Sequence, residues 1–121
     1  MGIEYKIDEQ GRYAILQLGP ECRLWNEDDA VDNFVKEVTS RKVKKVLVDY
    51  SKVRYDVLMT GGVSSLIHAY VIMQGKGIDI FNWNMTDAVK THKVVSRTGD
   101  LVLAKDVGSL EDFLKKAKEN P

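Results

Sequence analysis

One cysteine, two prolines, two histidines and no net charge mark what this chain of 121 residues has little of. A single thiol, Cys22, excludes an intrachain disulfide, a paired redox motif and a cysteine-based zinc site, and reads as a small, half-buried hydrophobe in a reducing compartment. With lysine plus arginine at 18 and aspartate plus glutamate at 18, there is no basic excess of the kind that general nucleic-acid or membrane-surface binding needs. No apolar run approaches the roughly 20 residues that span a bilayer, and the opening residues lack a basic, apolar leader. The expectation is one soluble domain in the cytoplasm, covering residues 1–121, with no direct membrane insertion and no nucleic-acid partner.

Charge is nonetheless unevenly placed. Residues 1–40 carry 9 acids against 4 bases, and residues 41–98 carry 10 bases against 4 acids. Part of the acidic excess has a structural cause, because Glu27, Asp28 and Asp29 follow the capping residue Asn26 at the start of a helical pattern, where the helix dipole favours anions. That pattern, with Val31, Phe34, Val35 and Val38 inward, predicts a helix of about 13 residues. Arg41, Lys42, Lys44 and Lys45 read as a solvated connection to the next element.

Alternation of Ile3, Tyr5 and Ile7, a turn at Asp8-Glu9-Gln10-Gly11 and a second apolar stretch from Tyr13 to Leu18 predict an antiparallel hairpin. Gly19-Pro20 closes it. Val46-Leu47-Val48 is continuously apolar, as in a strand covered on both faces. Thr60 opens a second helix with Val63, Leu66, Ile67, Tyr70 and Val71 on its inward face and Gly75-Lys76-Gly77 as its stop. Ile78 to Phe81 makes a strand, Thr86 begins a third helix, and Leu101 to Ala104 forms another strand. Ser109 caps a last helix with Leu110, Phe113, Leu114 and Ala117 inward. The order ββαβαβαβα predicts an α/β domain, a mixed sheet with an N-terminal hairpin and about four packed helices.

Catalytic chemistry has no foothold. His68 and His92 do not fall at a metal-ligand spacing, and no nucleophile elbow, phosphate loop, dinucleotide fingerprint or carboxylate pair is present. Catalytic residues, metal ligands and cofactors are therefore expected to be none. Trp25 and Trp83 fall next to loops and read as aromatics sealing the rim of the core.

The stretch Arg54-Tyr55-Asp56-Val57-Leu58-Met59-Thr60-Gly61-Gly62-Val63-Ser64-Ser65 is a loop feeding directly into the second helix. Thr60 suits a cap, and the two glycines let a partner approach the first turn.

The chain resembles a STAS domain, the fold of bacterial anti-sigma factor antagonists and of the regulatory tails of sulfate transporters. The resemblance covers nearly the whole chain and is carried by the element order, by Val46-Leu47-Val48-Asp49 followed by Val53, by Gly62 and Gly75-Lys76-Gly77, and by Ser96-Arg97-Thr98-Gly99. It implies a non-enzymatic signal-transduction domain whose partner is a protein, such as an anti-sigma factor or an ATP-binding kinase-type protein, and whose partner-binding residues are Asp56, Met59, Thr60, Gly61, Gly62, Ser64 and His68. Antagonists of that family carry an Asp-Ser-Ser-Gly-like motif that a partner kinase phosphorylates. Here the phosphoacceptor position holds Leu58 or Met59, so the resemblance implies loss of the switch, with Thr60, Ser64 and Ser65 as the nearest hydroxyls. Two alternatives belong to other classes: a small-molecule or lipid-linked sensor with a pocket bordered by Trp83, Met59 and His68, and a homo-oligomeric scaffold joined through Ile72 and Met73.

Overall fold

A computed structural model describes residues 3–19, 28–52, 60–84 and 105–119. Five strands and three helices lie within them: β1 (Ile3–Ile7), β2 (Tyr13–Leu18), α1 (Asp28–Ser40), β3 (Lys45–Asp49), α2 (Thr60–Gly75), β4 (Asp79–Trp83), β5 (Lys105–Val107) and α3 (Leu110–Glu119). The helix expected from Thr86, the strand expected at 101–104, Asn26, Cys22, Trp25 and His92 lie outside the described residues.

The sheet runs β1-β2-β3-β4-β5. β1 and β2 form the expected antiparallel hairpin, with Ile3 opposite Leu18 and Ile7 opposite Ala14. Its turn is closed by Gly11, whose N–H donates to the Asp8 carbonyl at 2.8 Å from a left-handed conformation that glycine adopts without steric cost. Arg12 donates to Asp8 at 2.9 Å and holds that carboxyl below its ordinary range. β2, β3, β4 and β5 are parallel.

Right-handed crossovers that step across a sheet in one direction place their helices on the same face. Accordingly α1 and α2 share one face, where Leu16, Leu18, Val46, Val48 and Ile80 meet Phe34, Val38, Leu66, Tyr70 and Met73. On the other face α3 brings Phe113 and Ala117 against Tyr13, Leu47, Phe81 and Val107. Every residue of β3 is buried, since successive side chains enter opposite cores, as its unbroken apolar run requires.

Helix ends follow the expected chemistry. Ser109 Oγ accepts from the Asp112 N–H at 3.1 Å, capping α3. Gly77, in the left-handed region at φ 81°, terminates α2 while Ile78 N–H reaches back to the Met73 carbonyl at 3.1 Å, the Schellman arrangement. Lys42 does the same for α1 at φ 58° without being glycine.

Three expectations need correction. Val71 faces solvent, whereas Met73 is 1% exposed and belongs to the core. Lys45 is not part of a solvated connection. It opens β3, is buried, and donates to the Lys116 carbonyl at 2.6 Å in the last turns of α3.

Candidate functional site

The helix α2 starts at Thr60, as its cap chemistry predicts, and runs 16 residues without one Asp, Glu, Lys or Arg. A helix apolar all round is normally enclosed, yet this one is enclosed on one side only. Leu66, Ile67, Ala69, Tyr70 and Met73 are buried, whereas His68, Val71 and Ile72 are exposed, Val71 at 46%. At about 100° per residue, these three occupy one continuous stripe.

By helical spacing Thr60, Gly61 and Ser64 are in phase with His68, and Gly62 is in phase with Leu66. Four of the expected partner-binding positions thus share one helical phase. Asp56 and Met59 lie outside the described residues.

A buried hydroxyl chain anchors this helix to the sheet. Tyr70 donates to Asn82 Oδ1 at 2.6 Å, and the hydroxyls of Tyr50 and Tyr70 are 2.8 Å apart. Since the Tyr70 proton is used on Asn82, Tyr50 is the donor in the second bond. All three side chains are at most 1% exposed, and burial pushes both phenols above their ordinary pKa. Tyr50 directly follows β3, and its N–H donates to the Trp83 carbonyl at 2.9 Å, so the chain entering residues 53–59 leaves from a fixed point. Periodicity could find Tyr70 as an inward residue, but nothing in the sequence pairs it with Tyr50 or Asn82.

On the other sheet face, Gln17, Asp49 and Trp83 at the carboxyl ends of β2, β3 and β4 lie near Leu110 of α3. An open groove of about 520 Å³ lies there, with Ile15, Leu110 and the half-buried Trp83 as apolar surface and Lys6, Gln17 and Lys52 among its polar groups. Such a position outside the ends of parallel strands is where α/β sheets commonly take ligands. Asp49 at its floor is occupied, accepting from Gln17 Nε2 at 3.2 Å and from the Ser51 N–H at 2.8 Å. Trp83 and His68 therefore do not border one pocket as expected, since Trp83 packs with the α3 core whereas His68 rides on the helix covering the opposite face, and Met59 lies outside the described residues. Among the described residues no cluster of His, Cys, Asp or Glu could hold a metal ion, and no helix is long and apolar enough to cross a membrane.

No family model matches the chain, and no curated protein matches it. Solved structures do. The protein TM1081 of Thermotoga maritima superposes with a TM-score of 0.71 at 15% identity, over 99% of this chain and 90% of that one. The anti-sigma factor antagonist SpoIIAA in its unphosphorylated form gives 0.67 at 7% identity, over 98% of this chain and 99% of its own. A variant of Moorella thermoacetica RsbS gives 0.58 at 16% identity, over 98% and 97%.

Proposed function

We propose that this chain belongs with the STAS-type regulators, since it shares its fold with anti-sigma factor antagonists. In this reading it is a non-enzymatic regulatory domain of the same kind, which binds a protein partner through residues 55–62 and the outer stripe of α2. The observation that carries the proposal is the uncharged α2 with Val71 and Ile72 turned to solvent in a chain that is 30% charged. Outward aliphatic groups flanked by small residues suit the dehydrated centre of a protein interface. The partner is an anti-sigma factor or an ATP-binding kinase-type protein, and the complex works in the cytoplasm.

The phospho-switch is absent in this reading. Leu58 and Met59 have no hydroxyl, which supports constitutive binding, and Thr60, Ser64 and Ser65 are the remaining acceptors near the site. Incubation with the cognate kinase and ATP gives no phosphoprotein by mass spectrometry, or one modified at Thr60 only. Stoichiometric modification at another site would sink this part.

The binding surface is tested by calorimetric titration with the anti-sigma factor or kinase encoded beside this chain. Ile72→Glu and Ser64→Arg each weaken binding by about tenfold or more, because each buries an unpaired charge in the interface, while both variants keep the parent melting temperature within a few degrees. Unchanged affinity in both would move the interface elsewhere. The groove beside Trp83 favours a second reading, a small-molecule sensor, and native mass spectrometry finding a co-purified ligand that Trp83→Ala abolishes would support it.

A further inference from the structure

Among the described residues β1 is the terminal strand of the sheet, and Glu4, Tyr5 and Lys6 on it are exposed. The Asp8 N–H donates to the Tyr13 carbonyl, which makes Asp8 and Tyr13 a hydrogen-bonded antiparallel pair. Because such pairs alternate, Lys6 opposite Ile15 and Glu4 opposite Gln17 also direct their backbone groups to β2. The N–H and C=O groups of Ile3, Tyr5 and Ile7 then point away from the sheet, where no described residue meets them.

We propose that this edge pairs with the β1 edge of a second copy of the chain, antiparallel and centred on Tyr5. Charge selects both the occupant and the register. Two outward-facing strands can pair only with Ile3, Tyr5 and Ile7 opposite one another, which leaves three overlapping registers. Centring on Glu4 sets carboxylate against carboxylate, and centring on Lys6 sets ammonium against ammonium and Glu4 against Asp8. Only the register centred on Tyr5 sets Glu4 of one copy against Lys6 of the other, twice across the twofold axis. Those contacts fall at the non-hydrogen-bonded positions, where side chains approach most closely.

Charges on an edge strand ordinarily guard it against pairing. Here the guard blocks the slipped registers and leaves one open. The pairing is isologous, so it closes at two copies. It forms a sheet continuous through both copies, with their α1 and α2 helices on the same side, which makes the α2 stripe bivalent toward a partner. A strand of five residues buries less than the roughly 1,000 Å² of a standard interface, so the dimer is weak and concentration-dependent.

Sedimentation velocity across a concentration series, with amide exchange by NMR on the same samples, tests it. Wild type shifts from monomer toward dimer as its concentration rises to the order of 1 mM. The amides of Ile3, Tyr5 and Ile7 gain protection with concentration, while those of Glu4 and Lys6 are protected throughout by β2. Glu4→Lys sets lysine against lysine at both contacts and weakens association about tenfold, and the double change Glu4→Lys, Lys6→Glu restores it. Circular dichroism is the same for all three proteins, since both side chains are exposed. A wild type that stays monomeric, a dimer indifferent to Glu4→Lys, a double variant that does not recover, or protection appearing outside β1 would each overturn the proposal.

Discussion

Tyr70 carries more than its ring. Its hydroxyl serves both neighbours, so Tyr70→Phe removes two buried bonds at once and leaves the Tyr50 hydroxyl without its acceptor, at a cost of about 1–3 kcal/mol, while Tyr50→Phe leaves the bond to Asn82 in place and costs about 0.5–1.5 kcal/mol. Urea unfolding of the two variants should show that order, and the reverse order would mean that the proton chain runs the other way. The same pair fixes the alkaline limit. Both phenols are raised above the usual value of about 10, so their contribution to stability is level below pH 10 and falls as pH climbs beyond it, when the unfolded chain ionises first. Lys42 is the opposite case, a side chain in a conformation made for glycine, and Lys42→Gly should raise stability by about 0.5–1 kcal/mol in the same titration.

Elements differed in how far their sequence revealed them. β3 was legible because three consecutive apolar residues, Val46-Leu47-Val48, have only one stable setting in a strand, between two cores. α1 was equally plain, its apolar and charged positions alternating with a clear helical phase. In α2 the boundaries could be read, since Thr60 and Gly75-Lys76-Gly77 mark them, but the inward face could not. A helix apolar around its whole circumference carries no phase, which is how Val71 was assigned inward and Met73 outward when the packing reverses them. Gly77 should prove the sensitive end of this helix: open space surrounds it, so Gly77→Ala costs about 1 kcal/mol through backbone strain at φ 81° alone, measurable by thermal melting. Lys45 shows a further blind spot. It looked like one more surface base, yet its ammonium closes the carboxyl end of α3 from 71 positions away in sequence. Lys45→Met keeps the aliphatic packing and removes that bond, at a cost of about 1 kcal/mol.

At the scale of the molecule, a zero net charge conceals two surfaces of opposite character, an uncharged α2 stripe over one core and a β1 edge whose two charges complement a copy of itself. A binding study in rising salt separates them. Association through Glu4 and Lys6 weakens as salt screens it, whereas partner binding through Val71 and Ile72 holds or strengthens, and equal salt dependence of both would contradict this division. The sequence by itself determined the α/β class, the hairpin, the ends of α2 and the start of α3, the doubly covered strand and the absence of a hydroxyl at positions 58 and 59, because each of these depends on residues close together in the chain. Only the tertiary structure decided which side of α2 meets solvent, that Trp83 and His68 stand on opposite sheet faces, that Lys45 caps α3 and that Tyr50, Tyr70 and Asn82 form one chain of hydrogen bonds. Those outcomes turn on which face of the sheet each crossover delivers its helix to, and no local pattern encodes that.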